Sequence, residues 1–181
     1  MEVGRICHAD WSRGLQKQHR LEQNAGNFVT KSGRVLCLGP AGVGTFDLED
    51  IDALTQKIIG CGIAVHTALG PGLLESIYRE CMIIEFRAAG LRAEAERRMG
   101  LKYRGEPVPT KLRLDLLVQG CIVVEVKAVE RIHPIHLAQV ITYLKLADCP
   151  IGLLMNFNTT SLRGGLRRVT HPSLYRKKGD S

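Results

Sequence analysis

Two short apolar runs, Lys111 to Val118 and Cys121 to Val129, constrain this chain more than any other feature, because both alternate with a period of two. Leu114, Leu116 and Val118 alternate with Arg113, Asp115 and Leu117; Ile122, Val124 and Val126 alternate with Val123, Glu125 and Lys127. That period belongs to strands, whose successive side chains point to opposite faces of a sheet. Glu125 and Lys127 therefore share a face, roughly 6–7 Å apart along the strand. Burying such charges unpaired is costly, so a partner is expected for each.

The aliphatic rows also set a register. If they share a face, Val118 opposes Ile122, Asp115 opposes Glu125 and Arg113 opposes Lys127. A two-residue turn at Gln119-Gly120 would instead pair Val118 with Cys121 and split the carboxylates across the sheet. The rows therefore predict a connection of odd parity, a three-residue loop or a bulge, although a three-residue turn would prefer its Gly last rather than in the middle. Two carboxylates brought together can hold a hard cation, and a nearby Lys can meet a phosphate or an attacking water. The structural alternative is a cross-strand charge cluster with Arg113 and Lys127.

At 181 residues and 45% hydrophobic content the chain can build one core of ordinary size. Aromatic residues, at 5%, are too sparse for base stacking to dominate any nucleic-acid contact. The net charge of +7 favours an anionic partner, nucleic acid first. Cysteines at 7, 37, 61, 81, 121 and 149 form no CxxC pair, so zinc is not indicated and reduced thiols of a cytoplasmic protein are expected. No signal peptide and no membrane-spanning stretch is visible.

Along the chain, residues 1–48 are Gly-rich and polar, and read as a poorly structured extension. Gly39 to Thr45 resembles a phosphate loop only superficially, since the Lys before Thr45 is missing and Pro40 interrupts it. Residues 49–172 form the expected domain, and residues 173–181 a basic, flexible tail. Leu54, Ile58, Ile59, Ile63, Val65 and Leu69 recur at helical spacing. Gly70-Pro71-Gly72 ends that helix, and a second runs from about Leu73 to Ala89. A charged strand-like segment, Arg92 to Tyr103, precedes the hairpin. A helix over His133 to Leu146, with Pro134 in its first turn, leads to strands at Ile151–Phe157 and Leu166–Thr170.

Gly72-Leu73-Leu74-Glu75-Ser76-Ile77-Tyr78 spells GxxExxY. With Arg113-Leu114-Asp115, Glu125-Val126-Lys127 and Pro134-Ile135-His136-Leu137-Ala138-Gln139, it resembles the GxxExxY protein family of the PD-(D/E)xK nuclease superfamily. Gln139 to Tyr143 is also similar to the QxxxY motif of RecB-type nucleases. The likeness covers about Asp52 to Thr170. Leu114 departs from the superfamily's Pro, and Leu137 stands where an acid is expected.

The resemblance implies an α/β fold with a mixed central sheet flanked by helices, in the order helix, three strands, helix, strand. It also implies Mg²⁺- or Mn²⁺-dependent hydrolysis of phosphodiester bonds in DNA or RNA. Asp115 and Glu125 would be metal ligands with the Val126 carbonyl, and Glu75 would reach the metal directly or through water. Lys127 would orient the attacking water or offset charge at the phosphate. Gln139, Tyr143 and Tyr78 would contact substrate. Each has a structural reading as well: Glu75 suits the helix dipole, Tyr78 suits the core, and Gln139 and Tyr143 share a helix face as a surface pair. His66 suits a helix C-terminus, while Arg163, Arg167 and Arg168 could meet a backbone phosphate or stay solvated. The rival functions are a non-catalytic nucleic-acid-binding module and a protein-interaction module on the same fold. A homodimer is an admissible assembly.

Overall fold

A computed structural model describes residues 35–39 and 42–172. The expectations for residues 1–34 and for the tail from 173 lie outside them. Within the segment expected to lack structure, β1 (Val35–Gly39) and β2 (Gly42–Phe46) form an antiparallel hairpin, with Gly39 opposite Gly42. Gly39 and Gly42 to Thr45 of the glycine-rich run thus lie in paired strands.

Helix α1 (Leu48–Leu69) begins where Asp50 accepts the Asp47 N–H, and buries Ile51, Ile58, Cys61 and Val65 along one stripe. After Gly70-Pro71-Gly72 the chain enters α2 (Glu75–Ala88), which buries Tyr78, Met82 and Phe86. Gly72 has φ +102°, a conformation that a side chain would oppose.

The charged segment after α2 divides at Gly100. It gives β3 (Ala93–Arg98) and a small outlying hairpin, β4 (Leu101–Tyr103) with β5 (Glu106–Val108). The central sheet has the order β3-β6-β7-β8-β9, where β6 is Arg113–Val118, β7 Ile122–Lys127, β8 Ile151–Asn156 and β9 Leu166–Thr170. Only β7 and β8 pair in parallel, and α3 (Pro134–Ala147) makes the crossover that such a pair requires. A short α4 (Leu162–Gly165) precedes β9.

The helices cover both faces. The α1–α2 layer packs on Leu116, Val118, Ile122, Val124, Val126, Leu153 and Met155. On the other face α3 brings Val140, Tyr143 and Leu144 against Leu114, Leu117, Val123 and Leu154. This is the α/β architecture with a mixed sheet that the sequence implied. α3 lies so close to β8 that a Cβ added to Gly152 would fall 2.4 Å from the Val140 side chain.

The hairpin register is the one that the aliphatic rows predict: Val118 pairs with Ile122, Leu117 with Val123 and Leu116 with Val124. Gln119 and Gly120 both take positive φ, 51° and 70°, and the Cys121 N–H donates to the Val118 carbonyl. The turn therefore closes on two left-handed residues, and Cys121 is the odd residue that restores parity. This is why the glycine stands in the middle of the connection rather than last.

Candidate active site

Beyond the Leu116–Val124 pair, β6 and β7 part, and the acids occupy the gap. One further step of the same register sets Asp115 across from Glu125. The Asp115 Oδ2 accepts the Val126 N–H at 2.9 Å, so a carboxylate stands where a backbone carbonyl would continue the ladder. The neighbouring strand is irregular at the same level. Pairing of β3 with β6 runs through Ala95–Leu116, lapses at Glu96, which has φ 49°, and resumes at Arg97–Leu114. Leu116 belongs to the core cluster of α1 and α2, and Leu114 to that of α3.

Glu125 is 2% exposed. Its Oε1 accepts Lys127 Nζ at 2.5 Å, while its Oε2 is buried without a hydrogen-bond partner. Burial, and then the negative charge of Asp115, push the Glu125 carboxyl up to about 7 despite the Lys127 ammonium. Burial also raises Asp115, opposed by the Val126 amide, Lys127 and Arg79. Burial disfavours the charged form of Lys127, but Glu125, Glu75 and Asp115 outweigh it and leave the ammonium more firmly protonated than usual.

Glu75 reaches this cluster from α2. Its Oε1 accepts the Ala128 N–H at 3.1 Å, just after Lys127. The preceding loop is held by Tyr78, whose hydroxyl donates to the Gly70 carbonyl at 2.7 Å and accepts the Leu73 N–H at 3.1 Å. The Tyr78 ring stacks on Phe157, centroids 4.4 Å apart, and the Phe157 N–H donates to the Lys127 carbonyl at 2.7 Å. The GxxExxY spacing thus has a physical reading here: a glycine to turn, a glutamate at the first helical position, and a tyrosine one turn later to pin the turn.

Tyr78, expected to meet substrate, is fully buried in the core, with its ring on Phe157 and its hydroxyl on the loop. Gln139 donates to the Tyr143 hydroxyl at 3.0 Å on its own helix. Among the described residues it makes no hydrogen bond to Asp115, Glu125 or Lys127. Tyr143 itself is 6% exposed and belongs to the α3 core.

His66 bonds the Thr159 carbonyl through Nε2 at 2.8 Å, a structural tie at the end of α1. Arg168 pairs with Asp52, and Arg167 donates to the Gly164 and Leu166 carbonyls of its own turn.

Sequence reasoning missed two participants, Arg79 and Asn156. Arg79, one turn after Glu75, brings a guanidinium nitrogen to 3.4 Å from Asp115 Oδ1. Asn156, a polar residue closing an apolar strand and 1% exposed, pairs in register with Lys127 and holds both the N–H and the carbonyl of Val129. His136 accepts the His133 N–H through Nδ1 at the start of α3; burial and then the Lys127 charge depress its pKa. The i, i+4 spacing of Glu75 and Arg79 and the lone Asn were the available signals.

Among the described residues no group of three His, Cys, Asp or Glu side chains could hold a metal ion by itself. The donor set still suits a hard divalent cation. Glu125 Oε2 is a buried oxygen without a partner, beside a second desolvated carboxylate, and Mg²⁺ accepts one or two carboxylates and keeps several waters. Glu75, by contrast, is held by the Ala128 amide.

The mixed sheet, its two helical layers and a paired Asp and Glu-x-Lys at a strand divergence define a nuclease-like α/β domain. Against models of known families, residues 52–169 match the PD-(D/E)XK nuclease superfamily, and the chain belongs to it. No curated protein and no solved structure matches the chain. No helix among the described residues is long and apolar enough to cross a membrane, and no finding supports a homodimer.

Proposed function

We propose that this protein is a metal-dependent nuclease of the GxxExxY type that hydrolyses phosphodiester bonds in DNA or RNA with Mg²⁺ or Mn²⁺. One observation carries the reading: Glu125 Oε2 is buried and unpartnered next to Asp115, in a charged cluster that also holds Lys127. Asp115 and Glu125, with the Val126 carbonyl, would hold the cation, which when bound would supply Lewis-acid charge at the scissile phosphate. Lys127 orients the attacking water or offsets charge on the phosphoryl oxygens. Its ammonium is held by Glu125 and biased by Glu75, so it is already in place before substrate arrives. The net charge of +7 supports a polyanionic partner, and the scattered cysteines are the ground for placing the protein in the cytoplasm.

The test is a cleavage assay on single- and double-stranded DNA and RNA, with Mg²⁺ or Mn²⁺ against chelator. Chelator-sensitive cleavage, lost in Asp115→Asn, is expected. Salt-dependent binding of nucleic acid without metal binding or cleavage would instead support the non-catalytic binding module.

A further inference from the structure

Arg79 is 16% exposed at its side chain, with Nη1 3.4 Å from Asp115 Oδ1 and Nη2 3.2 Å from Glu96 Oε1. The Glu96 carboxylate also takes Arg113 at 3.1 Å, and Arg79 Nε is buried without a partner. Glu96 makes these contacts from a left-handed conformation inside a strand, φ 49°, which a non-glycine residue resists. The guanidinium is therefore anchored on Glu96 and presented to Asp115.

The charges facing Asp115 and Glu125 are those of Glu75, Lys127 and Arg79. A divalent ion that binds Asp115 must also come near the guanidinium. Like charges in a partly buried site repel much more strongly than in water.

We propose that Arg79 is the resident counter-cation of this charged cluster: it pairs with Asp115 in the metal-free protein and competes with the divalent ion for that carboxylate. The inference rests on the reading of the site as a metal centre. Arg79 acts through Asp115 and is a positioning residue rather than a catalytic one.

The experiment is calorimetric titration of Mn²⁺ into the full chain, wild type beside Arg79→Met, Arg79→Gln, Arg79→Lys and Asp115→Asn, each checked for folding by circular dichroism. Both neutral variants should bind Mn²⁺ about tenfold or more tighter than wild type, because a nearby repulsive charge is gone. Arg79→Lys, which keeps the charge, should stay near wild type. A merely structural role for Arg79 predicts the opposite sign, since a loosened Asp115 binds more weakly.

Wild-type binding that Asp115→Asn abolishes, but that neither neutral variant tightens, overturns the role of Arg79 and leaves the metal centre standing. Absence of Mn²⁺ binding in wild type and in both neutral variants overturns both. Binding that appears only in the neutral variants supports the competition.

Discussion

Asp115 Oδ2 accepts the amide hydrogen of Val126 at 2.9 Å, and this contact sits where β6 and β7 stop pairing. A side chain closes the ladder, so the carboxylate that meets Arg79 is also fixed to the neighbouring strand. The two functions separate on substitution.

Asp115→Asn keeps an oxygen for the Val126 amide while removing the charge. The melting temperature should change little, because the buried carboxylate was already disfavoured in its charged form. Cation binding and cleavage should be lost, whereas nucleic-acid binding, resting on Lys and Arg at phosphates, should persist and weaken steeply with salt. Calorimetry, a cleavage assay and a filter-binding salt series read the three outcomes.

Lys127→Ala should stop cleavage and leave the metal bound, since an ammonium is no ligand. It also strips Glu125 Oε1 of its partner in a buried setting. A loss of about 1–3 kcal/mol is expected from that unsatisfied group, read by urea denaturation. Metal should recover part of it, because it binds the folded state only.

The contribution of Glu125 to the stability of the metal-free protein should fall as pH rises from about 4.5 to about 7, while His171, which burial lowers to about 4 from 6.5, contributes in the opposite sense. Glu125 has a folded pKa of about 7 against an ordinary value of 4.5, so the folded state holds a proton that the unfolded chain has released. The stabilisation is complete below the lower value and gone above the upper one. Asp115 is raised too and acts with the same sign. Metal affinity should climb over this window as the carboxylates ionise. Thermal melts of wild type beside Glu125→Gln at several pH values, with and without Mn²⁺, test both; a difference between the two that stays constant from pH 5 to 7 contradicts the assignment.

Tyr78→Phe keeps the stack on Phe157 and removes the hydroxyl that joins Gly70 to Leu73. A cost of about 1–3 kcal/mol is expected for the polar groups left unpaired. The Ala128 amide, which Glu75 holds, should exchange with solvent faster than in wild type, as hydrogen exchange would show. An unchanged Ala128 amide would mean that Glu75 is placed without help from this loop.

The sequence discloses the hairpin register because buried aliphatic rows tolerate no slip, and a slip would have moved every Leu and Val to the wrong face. Asp115, Glu125 and Lys127 could be grouped for the same reason. Arg79 could not: a charged residue on an amphipathic helix reads as solvated until the partner strand is known, and its partner Glu96 takes a backbone conformation that no residue pattern announces. The partners of Tyr78 and Gln139 could not be read either, because a motif records that a residue matters without recording what it touches. The β4–β5 hairpin is polar and exposed over Glu106–Val108, so it lacks the apolar alternation that marks the central strands.

The Tyr78–Phe157 stack joins residues far apart in sequence, and it ties the start of α2 to the end of β8. During synthesis, Glu75, Asp115, Glu125 and Lys127 have all left the ribosome's active centre before Phe157 is added. A nascent chain short of that residue carries Glu75, Asp115 and Glu125 and lacks the clasp that sets Glu75 against Ala128. The site is therefore completed late in synthesis, by its last strands, and a truncated product would carry its ligands without their alignment.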